Sequence, residues 1–236
     1  MNDALNVRNT HFTISVFSQE NYADYGHHRN SLNGLLNLLS TKTPATGFGL
    51  ASTGPPRGRG HVNALALCRG DVAKKDCKTC VANAGDALID RCSNNKGAII
   101  WYDDCLLKYS NFNFFGDIDE QNKFYLYNYQ DVEKMNPALF NKKVKELLSG
   151  LSGKAYGNKK FYATGELKLF GGKYKKIYGM AQCTRDLSNM ECKKCLDDAI
   201  NELPSCCSGK KGARVVTGSC NVRYKLYPFV NVPKVN

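Results

Sequence analysis

Five cysteines of this 236-residue chain recur at one constant spacing. The chain has eleven cysteines, and an offset of 115 residues relates five pairs of them: Cys68/Cys183, Cys77/Cys192, Cys80/Cys195, Cys92/Cys207 and Cys105/Cys220. Chance does not produce five equal offsets. A period of this length indicates two copies of one domain rather than a solenoid of short repeats.

The residues around these cysteines repeat as well. Asp76-Cys-Lys-Thr-Cys80 corresponds to Glu191-Cys-Lys-Lys-Cys195, and Lys96-Gly-Ala98 corresponds to Lys211-Gly-Ala213. We therefore expect two domains, residues 12–118 and 123–230, joined by a polar and acidic linker near residues 116–122.

Hydrophobic spacing predicts the same elements in each copy. One helix is indicated in the first copy by Cys77, Cys80, Val81, Ala84 and Leu88, at i, i+3, i+4, i+7 and i+11, and in the second by Cys192, Cys195, Leu196, Ala199 and Leu203. An earlier helix is indicated by leucines 35–39 and by the apolar residues 144–151. Ser188 before Glu191 is typical of a helix N-cap with a capping box.

Strands are expected over Phe12–Phe17, Phe161–Thr164 and Lys176–Cys183. Two further β-rich runs begin after Gly97 and Gly212 and continue past a cysteine to Tyr109 and Tyr224. The predicted fold class is α+β: two tandem domains, each a small antiparallel β-sheet with two helices packed on one face and stapled by disulfides.

The repeated Cys-x2-Cys motif has three chemical interpretations. Structural zinc needs four ligands, but the two motifs lie in different copies and all four histidines precede Cys68, so we expect no metal. A thioredoxin-like redox pair needs a parallel βαβ unit, whereas the pattern here is antiparallel. A disulfide framework remains, and it places the chain in an oxidising, extracellular compartment.

The formal net charge of +12 favours an acidic partner or serves solubility alone. The densest basic clusters are residues 173–176 and the pair Lys210 and Lys211. No RNA-binding signature or helix-turn-helix pattern occurs, so no nucleic-acid partner is expected. No apolar run reaches 18 residues, so no membrane span is expected, and no signal peptide is visible at the start of the chain.

The search for catalytic residues finds no constellation that repeats, and neither an enzyme activity nor a cofactor is expected. Asp103 and Asp104 are adjacent on an expected strand, where neighbouring side chains point to opposite faces, so they are not expected to form an acid/base pair. The second copy has Gly218 and Ser219 at these positions.

These motifs resemble the plant DUF26 family, also called the ginkbilobin-homologous or stress-antifungal domain. The resemblance covers about residues 12–230 and is carried by Cys-x8-Cys-x2-Cys, by Gly-Ala and by the final cysteine before a tyrosine. Local matches are Ala66–Val72, Ile99–Cys105, Tyr109–Asn111, Phe114–Gly116, Ala163–Glu166 and Cys220–Tyr224. The resemblance implies an extracellular binding module of plant defence or stress signalling.

The resemblance also implies a pairing of the cysteines. Carried over to this chain, the bridges are Cys68–Cys77, Cys80–Cys105, Cys183–Cys192 and Cys195–Cys220. The family's remaining bridge starts from an N-terminal cysteine expected here near residues 16–18, where there is none. Cys92, Cys206 and Cys207 are therefore unassigned, and the odd count of eleven leaves at least one free thiol or an intermolecular bridge.

A mannose-binding antifungal member of the family holds its sugar with an asparagine, an arginine and a glutamate. Only the arginine has a counterpart, Arg214, and Lys225 stands at the glutamate position; the first copy has Ile99 and Ser110 there. We expect weak or no mannose binding and, because Arg214 and Lys225 are both cationic, a preference for an acidic sugar or cell-wall polymer.

Two function classes follow from the resemblance. The first is a non-catalytic module that binds a glycan or cell-wall ligand. The second is a protein-interaction ectodomain, as in a truncated cysteine-rich receptor-like kinase, whose partner is a receptor or co-receptor and which binds no sugar. Both place the protein in the apoplast, and a full-length form would be associated with the plasma membrane.

Overall fold

The computed structural model describes residues 13–21, 25–54, 61–133, 135–169 and 174–230. The chain divides into two compact units, residues 1–114 and 115–236. Each unit contains one copy of the cysteine repeat, and each is described here by itself.

The first unit is a five-stranded antiparallel sheet with two helices. Its elements are β1 (Thr13–Asn21), α1 (Tyr25–Thr46), β2 (Phe48–Thr53), β3 (Val62–Cys68), α2 (Lys74–Cys92), β4 (Asn95–Trp101) and β5 (Cys105–Ser110). The strand order is β1-β4-β5-β3-β2. The connection from β1 to β2 passes through α1, and the one from β3 to β4 passes through α2.

The second unit repeats this topology. Its elements are β6 (Phe124–Tyr127), α3 (Pro137–Tyr156), β7 (Tyr162–Lys168), β8 (Lys176–Cys183), α4 (Asn189–Cys207), β9 (Gly212–Val216) and β10 (Cys220–Lys225), and the strand order is β6-β9-β10-β8-β7. The α+β class with two disulfide-stapled tandem copies is confirmed.

One face of each sheet forms a core with the two helices of its unit. In the second unit this core contains Leu147 and Leu148 of α3, Leu196 of α4, and Val215 and Val222 of the sheet. Gly179 allows the close approach of α3 to β8, because a Cβ there would come within 2.9 Å of Leu147 and Leu151 side-chain atoms. The opposite face of the second sheet, which we call the open face, carries the residues that alternate with this core set.

The helix starts follow from local sequence. Ser188 accepts a hydrogen bond from the backbone N–H of Glu191 (3.2 Å), and the Glu191 carboxylate accepts one from the backbone N–H of Ser188 (2.8 Å), so the predicted capping box is present. Asn136 caps α3 by accepting hydrogen bonds from two backbone N–H groups, and Pro137 occupies the first turn, where its missing N–H costs nothing.

The structure corrects three strand predictions. The β-rich runs that end at Tyr109 and Tyr224 are each two antiparallel strands, because Asp103–Asp104 and Gly218–Ser219 form turns. The strands β2, β3 and β6 were not predicted. Strand β7 begins at Tyr162 and extends to Lys168, and Phe12 of the first predicted strand lies outside the described residues.

The segment predicted as a linker packs on the second unit. The backbone N–H of Gly116 donates to Asp186 (3.0 Å), and that of Asp119 donates to the Ser219 hydroxyl (2.9 Å). Within the part of the chain that the structure describes, no helix has both the length and the apolar character to cross a membrane.

Candidate functional site

Strand register places several cationic side chains on the open face of the second sheet. Arg214 of β9 lies opposite Arg223 of β10, and Lys225 follows two residues later on the same face. Lys225 lies opposite Tyr178 of β8, so the two candidate ligand residues, Arg214 and Lys225, share a face and are diagonal neighbours.

Arg214 is buried, with 8% of its surface exposed, and its Nε donates a hydrogen bond to Asn221 Oδ1 at 3.1 Å. Register explains this contact, because Arg214 and Asn221 lie on the same face and are separated by one diagonal step between β9 and β10. The guanidinium is therefore held within the protein, whereas the family resemblance implied a ligand residue.

Lys225 and Arg223 each lie against an aromatic ring from the chain that follows β10. Lys225 Nζ is 4.7 Å from the centroid of the Tyr227 ring and donates a hydrogen bond to its hydroxyl. Arg223 Cζ is 4.5 Å from the centroid of the Phe229 ring. Cations over ring faces are attracted by the ring quadrupole, so this segment orients both side chains.

A group of lysines continues the open face at one end of the sheet. Lys168 of β7 lies opposite Lys176 of β8, which is two residues before Tyr178 on the same face. Lys176 forms an ion pair with Glu166 at 2.5 Å. We define the basic end as Lys168, Lys176 and Lys225; Lys173 of the predicted 173–176 cluster lies outside the described residues.

The corresponding positions of the first unit are largely uncharged. Ile99 and Ser110 stand where the second copy has Arg214 and Lys225, and both are fully buried. Lys108 matches Arg223 and lies 4.4 Å from the centroid of the Phe114 ring. The units differ in total charge as well: residues 115–236 contain 21 Lys or Arg and 12 Asp or Glu, a formal charge of +9, against +3 for residues 1–114.

The cysteines form five disulfides. Four of them join Cys68 to Cys77, Cys80 to Cys105, Cys183 to Cys192 and Cys195 to Cys220, the pairs that the resemblance implies. Of the three unassigned cysteines, Cys206 and Cys207 are bonded to each other although they are adjacent in the chain. Cys92 is a free, buried thiol.

Asp103 and Asp104 lie in the turn between β4 and β5. The expectation that they are neighbours on a strand, with side chains on opposite faces, was wrong. Arg69 binds this turn: its Nη1 forms an ion pair with Asp104 at 3.0 Å and donates to the Asp103 carbonyl at 3.0 Å. Burial raises the pKa of Asp104, and the Arg69 charge opposes that rise. These contacts join the turn to the end of β3.

Among the residues described, no cluster of three or more His, Cys, Asp or Glu side chains suits a metal ion.

Two tandem α+β units, each with a five-stranded sheet, two helices and two repeated disulfides, define a disulfide-stapled tandem ectodomain-type protein. The family model described as "Salt stress response/antifungal" matches residues 15–112 and 128–227, one match in each unit. The chain belongs to this family, which is the DUF26 family of the resemblance.

Curated relatives span nearly the whole chain. It is 65% identical to the antimicrobial ginkbilobin-2-like protein of Castanea crenata over 91% of this chain and 87% of the relative. It is 52% identical to cysteine-rich repeat secretory protein 38 of Arabidopsis thaliana over 86% of this chain and 79% of the relative.

Two solved structures share the fold. The tandem DUF26 ectodomain of the Arabidopsis thaliana cysteine-rich receptor-like protein PDLP8 gives a TM-score of 0.76 at 24% identity, covering 90% of this chain and 96% of that one. The corresponding ectodomain of PDLP5 gives 0.70 at 27% identity, covering 90% and 97%.

Proposed function

We propose that this protein is a secreted, non-catalytic plant defence protein that binds an anionic cell-wall polymer through the basic end of its second sheet. One observation carries the proposal: strand register gathers Lys168, Lys176 and Lys225 on one face, with Glu166 as the acid among them. A polymer with regularly spaced carboxylates can engage several lysines at once, so weak single contacts add up to useful affinity.

The extracellular location is supported by the disulfides and by the relatives. Five bridges in a chain of 236 residues are typical of an oxidising compartment. The relative that is 52% identical is named a secretory protein. The Castanea crenata relative, at 65% identity, is named antimicrobial, and this supports a role in defence.

A non-catalytic role is supported by the way the two copies use their carboxylates. Asp104 is in an ion pair with Arg69, and the second copy has Gly218 and Ser219 in place of the two aspartates. An acid/base pair needs two carboxylates that exchange protons with one substrate. Arg69 engages one of the two in the first copy, and the second copy has neither.

The test is retention on immobilised polygalacturonate in a salt gradient. The double variant Lys168→Glu/Lys225→Glu should weaken binding at low salt by roughly tenfold or more, because two attractive charges become repulsive. The control is Lys142→Glu, an exposed lysine on α3 in the other layer of the same unit, combined with Lys154→Glu near the end of that helix. Both pairs change the net charge equally.

Equal weakening by the two variants would show that net charge alone drives retention and would overturn the assignment to the basic end. Retention that does not fall as salt rises would also contradict an electrostatic contact, because exposed charges are screened within about 8 Å at physiological ionic strength.

A second candidate function is a protein-interaction ectodomain that binds a receptor or co-receptor. It is favoured by the fold shared with the PDLP5 ectodomain, described as that of a receptor-like protein, at 27% identity. A wild-type chain that is not retained on polygalacturonate and shows no carbohydrate ligand on a glycan array would favour this candidate over the first.

A further inference from the structure

We propose that the second unit holds another binding site, separate from the basic end, which takes a neutral oligosaccharide. The site is a groove between α4 and the chain preceding β6, continued by a row of exposed tyrosines on β6 and just after it. It rests on the proposed carbohydrate-binding function and adds a second class of ligand to it.

The groove has a volume of about 300 Å³. Its apolar lining includes Ile118 and Ala199, and its polar lining includes the amide of Asn201 and the hydroxyl of Thr217. Carboxylates of Asp119, Glu120, Asp198 and Glu202 and the ammonium group of Lys123 complete it. An apolar surface with several fixed donors and acceptors is the usual composition of a small-ligand site, whose volume is about 300–1,000 Å³.

Contacts across the groove hold its two walls together. At one end, Lys123 Nζ forms an ion pair with Glu202 at 2.8 Å, and the Tyr125 hydroxyl donates to the same carboxylate. At the other end, Lys194 Nζ lies 2.6 Å from Glu120 and 3.0 Å from Asp198. These contacts connect the chain before β6 to α4, so the groove is defined before any ligand arrives.

Gly218 leaves room for the wall of the groove that is formed by the chain before β6. The Asp119 side chain packs so closely on Gly218 that a Cβ at that position would overlap Asp119 Cγ. Asp119 then accepts hydrogen bonds from the backbone N–H of Asn122 (3.0 Å) and from its side-chain amide (2.9 and 3.1 Å). The first copy has Asp103 where the second has Gly218.

A row of tyrosines leads away from the groove. Tyr125 and Tyr127 pair with Val215 and Ala213, so they lie on one face of β6, and Tyr129 follows two residues later. Their exposed fractions are 38%, 56% and 93%. Because alternate residues of a strand are about 6.6 Å apart, Tyr125 and Tyr127 are separated by about that distance, and Tyr129 lies just beyond the end of β6.

Exposed aromatic rings next to a polar groove suit a chain of sugar rings. The apolar face of a sugar can pack on a tyrosine ring, while its hydroxyls exchange hydrogen bonds with amide, hydroxyl and carboxylate groups. The four carboxylates of the groove outnumber the three cations beside the site, which are Lys123, Lys194 and Lys210, whose Nζ is 5.8 Å from the centroid of the Tyr127 ring. This balance disfavours an anionic polymer. The ligand class is therefore a neutral oligosaccharide, in contrast to the polymer expected at the basic end.

The first unit lacks this row. Ile14 pairs with Ile100 and Val16 with Ala98, so Ile14 and Val16 take the places of Tyr125 and Tyr127. The tyrosine row is therefore specific to the second copy. A substitution on β1, the equivalent edge strand of the first copy, serves as a matched control.

The experiment is titration calorimetry with four hexasaccharides: chitohexaose, laminarihexaose, cellohexaose and β-1,4-mannohexaose. The wild-type chain should bind at least one, and Tyr127→Ser/Tyr129→Ser should weaken that binding by roughly tenfold, because two stacking surfaces are lost. Both side chains are exposed, so the variant should fold, and an unchanged melting temperature checks this. Val16→Ser, the control, should leave the affinity unchanged.

Polygalacturonate retention separates this site from the basic end. The tyrosine variant should still be retained on the polymer, and Lys168→Glu/Lys225→Glu should keep the wild-type affinity for chitohexaose, laminarihexaose and cellohexaose, the three hexasaccharides without mannose. A wild-type chain that is retained on polygalacturonate but binds none of the four hexasaccharides would overturn this site and leave the proposed function standing.

Two further outcomes would also overturn the tyrosine row as a sugar platform. One is hexasaccharide binding that survives the tyrosine substitutions. The other is a wild-type dimer in solution that Tyr127→Ser/Tyr129→Ser converts to a monomer, because this edge strand would then pair with a second copy of the chain.

Discussion

His28 and Phe140 occupy equivalent places in the two units. Each is fully buried on the first helix of its unit and lies against the tyrosine of the last strand: the ring centroids are 6.5 Å apart for His28 and Tyr109, and 6.0 Å apart for Phe140 and Tyr224. The first copy therefore has a titratable ring where the second has a hydrocarbon ring.

The first prediction is a loss of stability in acid that depends on His28. Burial lowers the pKa of His28 from 6.5 to about 4. Between pH 6.5 and 4, His28 is therefore protonated in the unfolded chain and neutral in the folded unit. The contribution of neutral His28 to the free energy of unfolding is complete above pH 6.5 and is lost as the pH falls to 4. His28→Phe should remove about 3 kcal/mol of pH dependence.

The measurement is urea unfolding of both proteins at several pH values from 4 to 7. Ser31→Ala, a substitution on the same helix, controls for a general change in α1. An equally steep fall in the free energy of unfolding for the wild type and His28→Phe would mean that other groups produce the acid sensitivity.

The repeat and the two helices of each copy could be predicted because cysteine offsets and helical periodicity are strong signals. The turn that divides β4 from β5 was missed because the apolar and aromatic residues on both sides of Asp103 and Asp104 were interpreted as one continuous β-rich run. Its geometry depends on Arg69, which lies 34 residues from Asp103 in the chain and accordingly leaves no local signal.

The second prediction concerns Cys92, a residue that is 2% exposed and whose thiol pKa is raised by burial. Because the thiolate is the reactive form, iodoacetamide should modify Cys92 at least ~10-fold more slowly in the native protein than in urea without reductant. Peptide mass spectrometry should find one modified cysteine per chain. Rapid native labelling at Cys92, or labelling at Cys206, would contradict this arrangement.

The third prediction compares two disulfides of the second unit. The Cys195–Cys220 bridge closes a loop with a sequence separation of 25, whereas Cys206 and Cys207 are adjacent. In the chain-entropy model, Cys195→Ser/Cys220→Ser should cost about 3–4 kcal/mol, and Cys206→Ser less than about 1 kcal/mol. Urea unfolding monitored by circular dichroism measures both, and similar losses would show that the adjacent bridge has a further structural role.

The candidate site could be predicted only in part. The family resemblance singled out Arg214 and Lys225, which the structure places on one face, but the sequence indicated neither the burial of Arg214 nor its hydrogen bond to Asn221. The groove was missed because it forms between α4 and a segment far away in the chain. Alternating tyrosines in Phe124-Tyr-Leu-Tyr-Asn-Tyr129 were a signal that could have marked the exposed edge strand.

The fourth prediction is that the chain binds mannose weakly, with a Kd above about 1 mM. Arg214 donates to Asn221 and is 8% exposed, so it has little capacity left for a sugar hydroxyl. Lys225 offers no acceptor where the family resemblance expects a glutamate. Lys225→Glu should raise mannose affinity by roughly tenfold to a hundredfold, since an unmatched hydroxyl costs about 1–3 kcal/mol.

Calorimetry with mannose on the wild type, Lys225→Glu and Lys225→Gln separates the effect of a missing hydrogen-bond acceptor from the effect of the charge at position 225. The amide of glutamine restores an acceptor without a negative charge, so its affinity should fall between the other two. The same Lys225→Glu change should lower retention on polygalacturonate, because it removes a cation from the basic end. Tight mannose binding by the unmodified chain, abolished by Arg214→Ala, would show that Arg214 leaves Asn221 for the sugar and that Lys225 does not block the site.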